Sequence, residues 1–211
     1  MQEILQRYHN VKNQVPKSAI LTLVTKKQKM ETILPLIELG HKNFAENYIQ
    51  EAKEKWLEKS GSFGVNLKLI GHLQSNKIKE ALALFDEIHT IDRLDLAQKI
   101  HKIITPQTKT KVFYAQINIG REEQKSGISP ELFHEFFENC PLEISGIMCI
   151  PPDGFEPSPY FKQMVEIAES IKIKFGKLLK ISMGMSNDFK TAIECGSNEV
   201  RVGSAIFGAR I

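Results

Sequence analysis

Short apolar, partly β-branched runs alternate along the chain with longer stretches whose apolar positions recur at helical spacing. The first pair sets the rule. Residues 19–25 (AILTLVT) show no helical period, whereas residues 32–39 have one and end at Gly40, a residue suited to capping a helix C-terminus. Strand candidates recur at 43–45, 67–70, 87–91, 111–119, 143–150, 180–183 and 199–202, which with the first makes eight. Helical stretches lie between them near 47–59, 75–84, 93–104, 130–139, 159–175 and 188–195. A further polar helix over residues 1–13 precedes them all, with Ile4, Leu5, Tyr8 and Val11 on one stripe and Pro16 stopping it.

Eight strands separated by helices predict a parallel sheet. At about 26 residues per strand and helix unit, the chain suits the short end of the closed (β/α)8 barrels, with a doubly wound open sheet as the competitor. The count of eight favours the barrel, and so does the lack of any G-x-G-x-x-G after the first strand, where an open dinucleotide-binding sheet would carry it. The expected fold class is therefore α/β, a single (β/α)8 TIM barrel over residues 1–211 with an extra N-terminal helix and no Pro/Gly/Ser-rich linker dividing it.

Composition adds exclusions. Of 211 residues, 42% are apolar and 25% charged, ordinary globular usage that leaves out disordered, collagenous and disulfide-scaffold classes. Lys plus Arg number 28 against 25 for Asp plus Glu, and the resulting +3 is spread out rather than gathered into a tract, which argues against nucleic acid as the main partner. Cys140, Cys149 and Cys195 are an odd count without C-x-x-C spacing, so they signal neither a disulfide framework nor a structural zinc site and fit a reducing compartment. The opening MQEILQRYHN lacks the apolar core of a signal peptide, and no apolar run approaches the length of a membrane span. A cytoplasmic protein without membrane association is expected.

In a barrel the working residues sit where strands end. That rule selects Lys26, which shares a strand face with Ile20, Thr22 and Val24 while Lys27 falls on the other. A lysine at the inner rim is partly desolvated, which favours the neutral amine that forms Schiff bases; on position alone, a solvated charge is the better reading. Residues 181–189 (ISMGMSNDF) run from a strand into helix-capping residue types, so a helix start there would aim backbone N–H groups, with the Ser186 hydroxyl, at whatever sits above the seventh strand. An ordinary capped helix explains those residues equally well. Residues 200–210 (VRVGSAIFGAR) follow from the eighth strand, where Gly203 permits close backbone approach and the N–H groups of Gly203 and Ser204 could join the Ser186 turn around one phosphate. Arg201 is open to a second reading as a surface salt-bridge partner.

These residues, together with AENYIQE (45–51), IGHLQSNK (70–77), HTIDR (89–93), QINIG (116–120) with KSG (125–127), and GIMCIP (146–151), make the chain similar over nearly its whole length to the pyridoxal phosphate homeostasis protein family, whose fold is the alanine racemase N-terminal barrel. The resemblance implies that Lys26 forms an internal aldimine with pyridoxal 5′-phosphate, that Ser186, Gly203 and Ser204 bind its phosphate, and that Arg201 faces the pyridine nitrogen. Asn47, and more weakly His72, Gln74, Met148, Met183 and Met185, are implied around the ring, each with an ordinary packing or capping role open to it. Ala45 stands where the family often has glycine, and Thr25 where it often has serine.

An arginine opposite the pyridine nitrogen disfavours ring protonation and weakens the electron sink. In the resembling racemases a tyrosine from a second domain serves the other face of the substrate, and no such domain is expected after residue 211. The leading expectation is a carrier that holds pyridoxal phosphate and releases it to apoenzymes, a monomer or weak dimer without a metal. A fold-type III amino-acid racemase is the first rival and a class I aldolase the second.

Overall fold

A computed structural model of the chain, described over residues 2–57 and 63–208, shows eight parallel strands closed into a barrel in the order β1 to β8. Helix α1 (Gln2–Lys12) precedes β1 (Ile20–Val24), and the alternation then runs α2 (Met30–Glu38), β2 (Asn43–Glu46), α3 (Ile49–Trp56), β3 (Asn66–Leu69), α4 (Ile78–Leu84), β4 (Glu87–Ile91), α5 (Leu94–His101) and β5 (Val112–Ile117). It continues with α6 (Phe133–Asn139), β6 (Ile144–Cys149), α7 (Ser158–Phe175), β7 (Lys180–Ser182), α8 (Phe189–Glu194), β8 (Glu199–Val202) and α9 (Ser204–Phe207). Closure is made by β8 against β1, with Thr22 opposite Arg201.

Every expected strand is present, and two of them, β4 and β8, have the expected bounds. The helices are shorter than expected at several ends. The stretches beginning at Ser75 and Pro130 open with single 3-10 turns before the α-helices start, and the expected ends at residues 1, 58 and 59 lie outside the described residues, as do residues 209 and 210 of the last motif. Helix α9, four residues long, carries no period that a sequence pattern could show.

Strands buried on both faces explain the apolar runs. Leu21 and Leu23 turn outward beneath the helix layer, where Ile33 and Leu36 of α2 and Ala52 and Trp56 of α3 are fully buried. Helix α7 buries Phe161, Met164, Ala168 and Ile171, an i, i+3, i+7, i+10 stripe, and ends on Gly176 in the left-handed conformation. Each of the leucine, isoleucine, phenylalanine and methionine side chains contributes roughly 1.5–3 kcal/mol by leaving water.

The inner face is polar in part. Lys68 is fully buried, with its ammonium 3.0 Å from Glu199 Oε1 and 3.6 Å from Glu87 Oε2. Thr22 donates to Glu199 at 2.6 Å, His89 Nε2 lies 2.7 Å from Glu87 Oε2, and the His89 ring stacks on Tyr114 with centroids 3.9 Å apart. Glu87, His89 and Glu199 bring their ligand atoms within 4.8 Å of one another, but the Lys68 ammonium already supplies positive charge to the two carboxylates. No described helix is long and apolar enough to cross a membrane.

Candidate functional site

At the ends of the strands a cavity of about 510 Å³ opens, and Lys26, Asn47, Ser186, Arg201, Gly203 and Ser204 all line it. All six residues expected to bind the cofactor therefore meet in one place. Lys26 is half-buried and lines the cavity, while Lys27 is exposed and has a left-handed backbone with φ +62°, the division between the two that the strand-face argument expects.

Arg201 is no surface salt-bridge partner: it is 2% exposed. Its guanidinium donates to Ser182 Oγ and to the carbonyl of Cys149, both at 2.8 Å, which holds the plane of the group against the cavity wall. Burial pulls its pKa below that of a solvated guanidinium, against the opposing pull of the Glu199 and Asp188 carboxylates. Burial also pushes the Cys149 thiol up to about 12, so that sulfur stays a protonated, inert neighbour.

The two turns after β7 and β8 are joined directly. Gly184 turns the chain with φ +93°, and its missing side chain lets Ala192 of α8 approach to where a Cβ would stand 2.5 Å away. Ser186 Oγ then accepts hydrogen bonds from the amides of Gly203 at 3.2 Å and Ala205 at 3.1 Å. The expected arrangement has the amides of Gly203 and Ser204 join the Ser186 turn around one phosphate; here the two turns do meet, but the Gly203 amide is taken by the Ser186 hydroxyl. Helix α8 begins later than the turn, at Phe189, and the Asp188 carboxylate instead accepts from the amide of Met185 at 2.5 Å.

The weaker candidates divide. Met185 lines the cavity, whereas Met183 is part of the hydrophobic core and Met148 is buried without reaching the cavity wall, the ordinary packing role. Gln74 is exposed at the start of a 3-10 turn and lines neither space. His72 lines a smaller adjoining space of about 250 Å³ that shares Asn47, Ile70 and Ile150 with the main cavity. Its Nδ1 lies 3.3 Å from Asp92 Oδ2 and 3.3 Å from Ser126 Oγ; both contacts use one ring nitrogen, so the three do not form a relay through the ring. Asn47 Oδ1 is buried without a hydrogen-bond partner.

Ser182, Asp188 and the wall from Pro151 to Pro157 escaped sequence reasoning. For Ser182 a signal existed: it sits two residues before Gly184 on the same inward face that the strand alternation assigns, in register with Met148.

The sequence pattern of the alanine racemase N-terminal domain matches residues 1–211. Against the pyridoxal phosphate homeostasis protein of Haemophilus influenzae the chain is 38% identical over 201 residues, covering 90% of this chain and 84% of that one. The chain belongs to the pyridoxal phosphate homeostasis protein family. The Escherichia coli K12 member is 35% identical over 204 residues, with 92% and 87% covered. Among solved structures, PipY of Synechococcus elongatus PCC7942 superimposes with a TM-score of 0.89 without PLP and 0.87 with PLP bound, at 30% identity over 97% of this chain and all of that one. An alanine racemase of Clostridium difficile 630 shares the fold, with a TM-score of 0.81 at 15% identity; this chain spans 60% of it.

Proposed function

We propose that this chain binds pyridoxal 5′-phosphate, with Lys26 as its covalent anchor, and holds and delivers the cofactor inside the cell rather than turning over amino acids. The observation that carries this reading is the convergence of a lysine, a buried arginine and a serine-bridged pair of turns on one cavity of about 510 Å³, a volume suited to a cofactor. The donor set fits the group: a primary amine for an aldehyde, backbone and hydroxyl donors for a phosphate, and the orphaned Asn47 Oδ1 for a polar ring substituent. When bound, the cofactor supplies an aldehyde whose condensation with a lysine amine forms one C=N bond and releases one water, with no change of oxidation state.

Arg201 is fixed by two hydrogen bonds and remains cationic, so a ring nitrogen beside it is kept unprotonated. That arrangement favours holding over carbanion chemistry. PipY, solved with PLP bound, supports the ligand, and three free thiols support a reducing, cytoplasmic setting. The reversibility of the condensation supports delivery, since it lets the cofactor leave again.

Borohydride reduction of the protein incubated with pyridoxal phosphate is expected to fix a pyridoxyl label on the peptide carrying Lys26, and Lys26→Ala is expected to lose both the label and the visible band. Mixing the loaded protein with a pyridoxal-phosphate-dependent apoenzyme is expected to activate it. A label elsewhere would overturn the anchor, and rapid α-deuteration of L-amino acids that Lys26→Ala abolishes would make the protein an enzyme instead.

A further inference from the structure

Lys26 follows β1 by two residues, and the backbone on both sides of it is held by one charged cluster from β2 and α3. On the near side, the Thr25 amide donates to Ala45 O at 3.0 Å, the Thr25 hydroxyl donates to Glu46 Oε1 at 2.6 Å, and the Thr25 carbonyl accepts from Lys55 Nζ at 2.7 Å. On the far side, the Lys27 amide donates to the Glu51 carboxylate. Lys55 joins the two halves: its ammonium lies 2.6 Å from Glu46 Oε1 and 2.8 Å from Glu51 Oε1, with 9% of the side chain exposed. The Trp56 indole closes the cluster by donating to Glu46 at 3.0 Å.

Such a clamp answers a local problem. Lys27 has φ +62°, a conformation a side-chain-bearing residue keeps only where its surroundings over-determine it, and here the carbonyl before Lys26 and the amide after it are both taken by charged groups. With the turn so set, Lys26 lines the cavity and its neighbour is exposed; relaxing the turn lets the two adjacent amines compete for one aldehyde. We propose that Lys55, braced by Glu46 and Glu51, is a positioning residue that sets the loop geometry through which Lys26 and not Lys27 reaches the cofactor aldehyde. The proposal rests on the cofactor reading above and adds to it a group outside the cavity.

The test uses the full chain and four variants: Lys55→Met, Lys55→Arg, Glu51→Gln, and the double variant Lys55→Met with Glu46→Gln, which leaves no unpaired buried carboxylate. Two ligands are titrated, pyridoxal phosphate and pyridoxine 5′-phosphate, the latter having an alcohol where the former has its aldehyde. Lys55→Met, Glu51→Gln and the double variant are expected to weaken pyridoxal phosphate binding by about tenfold or more, leave pyridoxine phosphate within about twofold, and move part of the borohydride label to Lys27. Lys55→Arg, which keeps the charge and the donor, is expected to restore most of the binding and the labelling of Lys26. Parallel loss of both ligands in the double variant would reduce Lys55 to a support of the fold and overturn the proposal, as would unchanged binding with the label wholly on Lys26. Wild-type protein that takes no label on Lys26 would overturn the cofactor reading itself, a result visible before any variant is made.

Discussion

With both lone pairs of the Ser186 oxygen taken by the amides of Gly203 and Ala205, what the hydroxyl has left for an anion in the cavity is its proton. A hydrogen bond to a charged acceptor contributes about 1.5–3 kcal/mol. Ser186→Ala is therefore expected to lower affinity for pyridoxal phosphate by about tenfold or more while leaving pyridoxal, which lacks the phosphate, nearly unchanged. Titrating both ligands checks it, and equal losses for the two would remove the phosphate from this turn. Gly203→Val acts differently, because a Cβ there would already stand 3.2 Å from the Val24 carbonyl, and so it is expected to weaken both ligands. Strand ends and turn chemistry place Lys26, Ser186, Gly203 and Arg201 where a barrel carries its cavity, which all four line, but they leave ordinary charge, capping and salt-bridge roles open to Lys26, Ser186 and Arg201, and the cofactor roles come from the family resemblance. Lys55 was not legible. It stands 29 positions from Lys26, in a helix whose Glu51 and Lys55 read as an ordinary i, i+4 surface pair, and only the packing of α3 on β1 and β2 turns that pair toward the Thr25 carbonyl.

Helix α1 shows the same division one scale up. Its stripe was legible, and Tyr8 and Val11 are buried as the spacing predicts. Its partner α9 was not, because one turn of helix leaves no period. What fastens α1 to the barrel includes a histidine: the Tyr8 hydroxyl lies 3.1 Å from His41 Nδ1, and His41 Nε2 lies 3.0 Å from the carbonyl of Asn43. A carbonyl only accepts, so Nε2 carries a proton, and in the neutral ring Nδ1 then accepts from the Tyr8 hydroxyl. Burial holds the His41 pKa down to about 4 from 6.5. Between those values the unfolded chain binds a proton that the folded one refuses, so this contribution is fully present above pH 6.5 and is lost as pH falls toward 4. The loss is expected to reach about 3 kcal/mol. Urea midpoints of wild type and His41→Gln, measured from pH 7 to 4, are expected to fall steeply for the former and more gently for the latter. Parallel slopes would place the acid sensitivity elsewhere.

Across the whole molecule, closure of the sheet decides what the strand patterns could only leave open. Lys68, Glu87, His89 and Glu199 read in sequence as the polar half of strand alternation, the half that faces water in an open antiparallel sheet; in a closed barrel that same half faces inward and has no solvent. The apolar runs therefore disclose the strands, and alternation the faces of the first, but not the charged layer inside. In that layer burial acts to raise the Glu199 pKa, and Lys68, His89 and Thr22 outweigh it, leaving the carboxyl below its ordinary value. Glu87 is held down to about 2 in the same way, burial being outweighed by His89, Lys68 and Asn66. Both carboxylates lean on one ammonium. Removing it alone, by Lys68→Met, takes the ammonium from the buried Glu199 and the half-buried Glu87 and is expected to cost about 3–5 kcal/mol. Removing a charge of each sign, by Lys68→Met with Glu199→Gln, is expected to recover part of that loss, since the remaining Glu87 keeps His89 at 2.7 Å. Urea unfolding of the two variants beside wild type makes the comparison. A double variant no more stable than the single one would mean that Lys68 supports the barrel by packing and not by charge, and the acid limb of the stability curve between pH 4.5 and about 2, where the unfolded chain protonates Glu87 and the folded one does not, would then be the same in all three proteins.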